Sequence, residues 1–185
     1  MTRTSTTTSI DAGQPARIDP EGGIRFALGL GANLGDREAT LAAALVRLNE
    51  ALGPLDVAPL YRTAPVSPIP QPDYLNTAAT GTTRRPPDEI LAIAKALELA
   101  AGRRLGPHRG PRLGPRALDV DLLVYGARVS EAPELTLPHP GLARRRFVLA
   151  PLADVAPDLP VPPGGRTVAE LLAACDDPSP VERIG

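Results

Sequence analysis

Ile24, Phe26, Leu28 and Leu30 alternate with Arg25, Ala27 and Gly29. That period of two predicts a strand with one face in a core. Gly31 to Gly35 turn the chain, and Asp36 stands where a helix N-cap belongs, with Glu38 in the first turn. Leu41, Leu45, Leu48 and Leu52 follow at helical spacing until Gly53-Pro54 stop the pattern. Leu55 to Arg62 reads as a second strand, pushed toward a bulge or an edge by Pro59. Four prolines, Pro65, Pro68, Pro70 and Pro72, make the stretch from Thr63 to Asp73 irregular. Tyr74 to Thr83 reads as a third strand, with Tyr74, Asn76 and Ala78 on one face. Pro86-Pro87-Asp88-Glu89 opens a second helix, whose stripe is Ile90, Ile93, Leu97 and Ala101 and whose end is Gly102. Residues 103–115 mix too much glycine and proline for regular structure, and Leu118 to Tyr125 is a fourth strand. Beyond it come shorter elements: an extended Leu135 to Leu137, a turn or short helix from Gly141, and a last helix from Thr167, where Glu170 completes a capping box.

The order strand–helix–strand–strand–helix–strand predicts an α+β fold. Its core is the ferredoxin-like βαββαβ arrangement, an antiparallel sheet with helices packed on it, followed by short C-terminal elements. Residues 1–22 are polar and aperiodic and read as a disordered tail, which leaves 23–185 as the folded domain. This topology hosts many chemistries, so function has to come from particular residues.

Composition narrows the field. With 185 residues, 43% hydrophobic, one compact domain with a real core is expected. A net charge of −1 supplies no field toward nucleic acid or anionic lipid. No apolar run approaches a membrane span, and the Thr/Ser-rich start is no secretory signal. Cys175 is the only cysteine, which excludes intramolecular disulfides and makes a thiolate metal cluster implausible. A soluble, monomeric, cytoplasmic protein without membrane or nucleic-acid partners is expected. Lys95 is the single lysine among 20 basic residues, so nearly every cation is a planar guanidinium fork suited to phosphate.

The sharpest chemical feature is Leu118-Asp119-Val120-Asp121-Leu122. Residues two apart on a strand share a face, so Asp119 and Asp121 stand side by side while Val120 and Leu122 enter the core. Two such carboxylates repel unless cations lie between them, and oxygen-only ligation suits Mg²⁺. An isolated Asp-x-Asp is more often a plain solvated strand face. Here, however, Arg103, Arg104, Arg109, Arg112 and Arg116, with His108, fill a fourteen-residue acid-free loop that leads into the strand. Cations beside metal-binding acids describe a polyphosphate site; a solvated arginine loop is the bland alternative. Arg144-Arg145-Arg146 form a second basic run after Pro138-His139-Pro140. Tyr74, Asn76 and Phe147 could stack on and hydrogen-bond to a flat heterocycle, or simply pack. The glycines of Gly29-Leu30-Gly31-Ala32-Asn33-Leu34-Gly35 miss dinucleotide spacing by one and read instead as places of close backbone approach.

Four stretches, in this order, resemble the 6-hydroxymethyl-7,8-dihydropterin pyrophosphokinase family: Leu28 to Asp36, Tyr61 to Asn76, Arg112 to Leu123 and Leu135 to Leu149. The resemblance implies transfer of pyrophosphate from ATP to the hydroxymethyl group of the reduced pterin, giving AMP and the pterin diphosphate, in folate biosynthesis. It implies that Asp119 and Asp121 bind two Mg²⁺ ions, and that Arg103 and Arg116 act with them in catalysis. Glu98, Arg116, Leu122, Thr136, His139 and Arg145 would be the ATP-side residues, with Leu122 against the adenine. Thr63, Val66, Tyr74, Asn76 and Phe147 would form the pterin pocket, with Tyr74 and Phe147 sandwiching the ring. The family uses the loops near 64–73 and 103–115 as mobile covers. Departures from its pattern are Leu113 where many members carry Trp, a 103–116 loop about three residues longer than in compact members, Lys95, Pro140, and the tail. Two other readings stay open: a metal-dependent phosphotransferase acting on a different hydroxyl, and a non-catalytic nucleotide- or RNA-binding module.

Overall fold

The structure, a computed structural model, describes residues 22–103 and 114–184. Its elements are β1 (Ile24–Ala32), α1 (Arg37–Leu52), β2 (Leu55–Val57), β3 (Leu60–Thr63), β4 (Tyr74–Thr83), α2 (Pro87–Ala100), β5 (Asp119–Tyr125), β6 (Ser130–Ala132), β7 (Leu135–Leu137), α3 (Arg146–Val155), β8 (Pro160–Val161), β9 (Arg166–Thr167), α4 (Val168–Ala173) and β10 (Val181–Ile184). A six-stranded antiparallel sheet runs β10-β3-β4-β1-β5, and β2 also pairs with β4. The α+β class expected from the chain is the one observed. Among the described residues no helix is long and apolar enough to cross a membrane.

Local chemistry sets the boundaries. The Asp36 carboxylate accepts the Ala39 N–H at 3.0 Å and starts α1, and Gly53, at φ 99°, ends it. The expected second strand is two: Ala58-Pro59 interrupts it, because proline cannot donate to the ladder. The capping box forms as read, with Thr167 and Glu170 each satisfying the other's backbone. The stretch after Gly141 is longer than expected. A 3₁₀ turn at Leu142–Arg144 leads into the ten-residue α3, which tolerates Pro151 inside it. β10 had no counterpart in the sequence reading; Val181 to Ile184 pair with Thr63 to Leu60.

Each face of the sheet has its own cluster. Phe26, Leu28, Leu30, Val120 and Leu122 face α1 and α2 together with Leu41, Leu48 and Ile90. Ala27, Ala78, Leu123 and Val124 face α3 and α4 with Leu149, Leu152 and Val168. β5 alternates through Leu123, and Val124 then breaks the pattern by joining it on the α3 face. Ala27 pairs with Val124 and Leu28 with Leu122, so Leu123 is an extra residue, a β-bulge that turns two successive side chains toward α3.

Candidate active site

The α3 side of the sheet is covered over only part of its length. Asp119 lies opposite Gly31 and Asp121 opposite Gly29, so the neighbouring strand raises no side chain beside either acid. Gly31 also leaves room for the ring-side wall: a Cβ there would stand 2.7 Å from the Asn76 side-chain oxygen and force that amide to shift. The result is a cavity of about 680 Å³. Among the described residues its floor carries Gly29, Gly31, Asp119 and Asp121. Thr63, Val66, Tyr74 and Asn76 line one wall, and Arg103, Arg116, His139, Arg145 and Phe147 complete the rim.

Arg103 owes its position to the end of α2. Gly102 adopts φ 96°, its N–H donates to the Leu99 carbonyl at 3.0 Å, and the Arg103 N–H donates back to the Glu98 carbonyl at 2.9 Å. That is a Schellman stop, and it folds Arg103 back over its own helix. Its guanidinium pairs with the Glu98 carboxylate and donates to Asp119 Oδ1 at 3.1 Å. Arg116 Nη1 lies 3.3 Å from the same oxygen. Glu98, 4% exposed, accepts the Val120 N–H at 3.0 Å behind the strand. Burial raises its pKa against the pull of that hydrogen bond and of Arg103.

The second acid is different. Asp121 has 42% of its side chain open to the cleft. Even so, it stands deep among protein groups; that burial, with the Asp119 charge beside it, pushes its carboxyl up to about 6 despite Arg145, Arg116 and Arg103. Among the described residues the nearest cationic candidate is His139 Nε2 at 3.8 Å. Burial, and then Arg145, lower the histidine pKa, so it favours the neutral ring. Nδ1 accepts the Gly141 N–H at 3.1 Å, which leaves the neutral ring's proton on Nε2, facing the acid. His139 reaches this place because its own N–H donates to the Leu123 carbonyl at 2.9 Å.

Two like charges side by side, with guanidinium groups in ion-pair contact with Asp119 but not Asp121 among the described residues, make a natural cation site. Among the described residues there is no group of three or more His, Cys, Asp and Glu able to hold a metal. That does not suit an all-protein cage. It does suit Mg²⁺, which takes one or two carboxylates and fills its octahedron with water and phosphate oxygen.

The opposite wall is shaped for a ring. Asn76 Nδ2 donates to Thr63 Oγ1 at 2.7 Å, and both side chains are buried. Tyr74 stands two residues earlier on the same strand, its hydroxyl proton held above the ordinary range by burial and by Asp119. Across the cavity the Arg145 guanidinium lies 5.7 Å from the centre of the Phe147 ring, a cation–π stack.

The structure thus brings together Arg103, Arg116, Asp119, Asp121, His139 and Arg145 with Thr63, Val66, Tyr74, Asn76 and Phe147. It does not bring Glu98, Leu122 or Thr136 to the cavity wall. Leu122 is 5% exposed in the cluster under α1 and α2, as alternation on β5 requires. Thr136 lies on β7 and donates to the Ala132 carbonyl. Arg104, His108, Arg109, Arg112 and Leu113, and the tail to residue 21, lie outside the described residues. Sequence reasoning missed Asn33 and Gln71. Asn33 is 1% exposed and bonded to three partners; its only signal was an amide flanked by glycines at a strand end.

Paired acids, forked cations and a ring-sized wall on one α+β sheet define an enzyme that moves a phosphate-chain group onto a small acceptor. Residues 27–157 match the family model described as 7,8-dihydro-6-hydroxymethylpterin-pyrophosphokinase (HPPK). The chain is 44% identical over 163 residues to the 2-amino-4-hydroxy-6-hydroxymethyldihydropteridine pyrophosphokinase of Methylorubrum extorquens, covering 86% of this chain and 98% of that one. It is 42% identical over 154 residues to the enzyme of that name from Pseudomonas aeruginosa, covering 82% and 91%. The chain belongs to the HPPK family. Solved structures share the fold: wild-type HPPK-DHPS of Plasmodium falciparum gives a TM-score of 0.59 at 14% identity over 82% of this chain and 44% of that one. A second HPPK-DHPS, in complex with substrates, gives 0.62 at 12% identity; this chain spans 45% of its length.

Proposed function

We propose that this cleft is where the chain carries out its family's reaction, with Asp119 and Asp121 as ligands of two Mg²⁺ ions. As a pyrophosphokinase of this family, the protein transfers pyrophosphate from ATP to the hydroxymethyl group of 6-hydroxymethyl-7,8-dihydropterin, in folate biosynthesis. The observation that carries the site assignment is the juxtaposition of the two acids with the Tyr74–Asn76–Phe147 wall in one cavity.

The pterin ring enters between Tyr74 and Phe147, and Asn76 and Thr63 meet its polar edge. Val66 lies over it from the proline-rich segment. The ring's hydroxymethyl oxygen then points at the floor, where the ATP phosphates lie. Arg103 and Arg116 flank Asp119 closely enough to hold phosphate oxygens, and Arg145 and His139 Nε2–H serve the far side. The oxygen attacks the β-phosphorus in line, its bond to the pyrophosphoryl group forms, and AMP leaves with the bridging oxygen. Bound Mg²⁺ would supply neutralisation of the phosphate charge and polarisation of the phosphoryl oxygens. Asp121 or water takes the hydroxyl proton. The guanidiniums stabilise charge as it shifts toward AMP.

The strand path β3-β4-β1-β5 supports a ferredoxin-like core. Residues 23–185 are taken as the catalytic unit, working as a cytoplasmic monomer. Incubating the protein with ATP, Mg²⁺ and the reduced pterin, then separating nucleotides, should give AMP and pterin diphosphate in equal amounts. Formation of ADP, or ATP consumption that does not depend on the pterin, overturns the assignment.

A further inference from the structure

The two walls of the cavity come from different parts of the chain, the 63–76 segment on the ring side and the approach to β5 on the phosphate side. Among the described residues they are joined by the Asn33 side chain and, more weakly, by the Tyr74 hydroxyl, which donates to the Gly114 carbonyl at 3.4 Å. Asn33, 1% exposed, follows the last residue of β1. Its Nδ2 donates to Gln71 Oε1 at 2.8 Å and to the Pro72 carbonyl at 3.1 Å. Its Oδ1 accepts the Arg116 N–H at 2.7 Å, while its own N–H donates to the Arg116 carbonyl at 2.9 Å. Both amide hydrogens and the carbonyl oxygen are used. Beyond the last rung of the β1–β5 ladder, Gly31 opposite Asp119, one backbone bond and one side-chain bond thus hold Arg116 to the end of β1. Arg37, one turn of chain further, donates to the Asp73 carbonyl at 2.7 Å, so the same connection holds the adjoining residue.

We propose that Asn33 is a positioning residue that couples the pterin wall to the phosphate wall, so that occupation of either subsite favours occupation of the other. The geometry explains why an asparagine is needed. A group there must donate twice toward Gln71 and Pro72 and accept once from Arg116; aspartate supplies only acceptors and leucine neither. Because Asn33 holds the Arg116 backbone, a displacement of that backbone as its guanidinium takes up a phosphate chain pulls on Asn33, and Asn33 pulls on the segment that ends at Tyr74. Coupling of this kind is reciprocal by thermodynamic necessity.

The proposal rests on the ATP and pterin assignment, so the first measurement is product formation by the wild-type chain; its failure removes that assignment and not the brace alone. The test of the brace is the Kd for the reduced pterin with and without a non-hydrolysable ATP analogue plus Mg²⁺, by calorimetry on the full chain. In wild type the analogue should tighten pterin binding by about tenfold. In Asn33→Leu that ratio should fall to within about twofold of unity, while the Kd for the analogue alone stays within about threefold of wild type. Asn33→Asp should recover part of the ratio, because the Gln71 amide can turn to donate but the Pro72 carbonyl cannot. A lowered melting temperature with the ratio intact would mean a purely structural residue and overturn the proposal, as would a wild-type ratio near unity. If Asn33→Leu does not fold, Gln71→Met reads the same ratio, and a full wild-type ratio there overturns it as well.

Discussion

On the face that meets α1 and α2, β1 and β5 present Phe26, Leu28, Leu30, Val120 and Leu122, none more than 5% exposed. On the other face the same strands present Gly29, Gly31, Asp119 and Asp121, and above them stands a cavity. The ladder is shared, so the backbone pairing that holds the first face also fixes the second. The difference teaches where rigidity for a binding site comes from. Acids that repel one another and glycines that contribute no packing are carried by strands whose other side chains anchor them. The two faces should therefore respond to substitution in opposite ways, one losing activity and the other losing stability.

The largest effect is expected at Asp119. Asp119→Ala should lower turnover by about 10³-fold or more while the melting temperature stays near wild type, since its neighbours Glu98 and Asp121 are acids relieved by its loss. Steady-state assays beside thermal unfolding check this, and a variant with near-full activity breaks the comparison. Leu122→Ala, one residue from an acid but on the other face, should lose about 2–4 kcal/mol of stability in denaturant unfolding with kcat per folded molecule little changed. If it instead abolishes ATP binding in protein that remains folded, the adenine role implied by family resemblance holds and the division of faces fails there.

Gly31→Ala sharpens the ring side of the open face. Its methyl would have to displace the Asn76 amide from 2.7 Å, so pterin KM should rise about tenfold with nucleotide affinity unaffected. The smallest effect belongs to the anchored periphery. Tyr61 donates to Asp154 Oδ2 at 2.7 Å, tying β3 to α3, and burial first, then Asp154, push its pKa up to about 12. A phenol whose folded pKa lies above its unfolded value of about 10 favours the folded state fully below that value, and loses the contribution as pH rises through about 12. Tyr61→Phe should cost about 1 kcal/mol at neutral pH and flatten the alkaline limb of the stability curve.

Much of the molecule was legible because its local signals do not depend on distant partners. Asp36, Gly53 and Gly102 mark helix ends by backbone chemistry alone, and Tyr74 to Thr83 is a strand at the boundaries read from the sequence. The acid pair was legible for the same reason, since strand period places both on one face. α3 is longer than the turn or short helix expected from Gly141; Pro151 weakens the local helical signal, and burial of Leu149 and Leu152 overrides it. β10 exists through pairing with β3, more than a hundred residues away, and Val181-Glu182-Arg183-Ile184 carries little strand signal of its own. Asn33 was invisible as a joint because its three partners, Gln71, Pro72 and Arg116, are assembled only by the tertiary fold.

The bulge in β5 also fixes where the open face ends. Leu123 follows Asp121 on the same face, and the irregular register adds Val124 beside it, 1% and 0% exposed. That face therefore passes from carboxylate to hydrocarbon in one step. On that side Asp121 borders poorly screening material, through which neighbouring charges act more strongly than through open water.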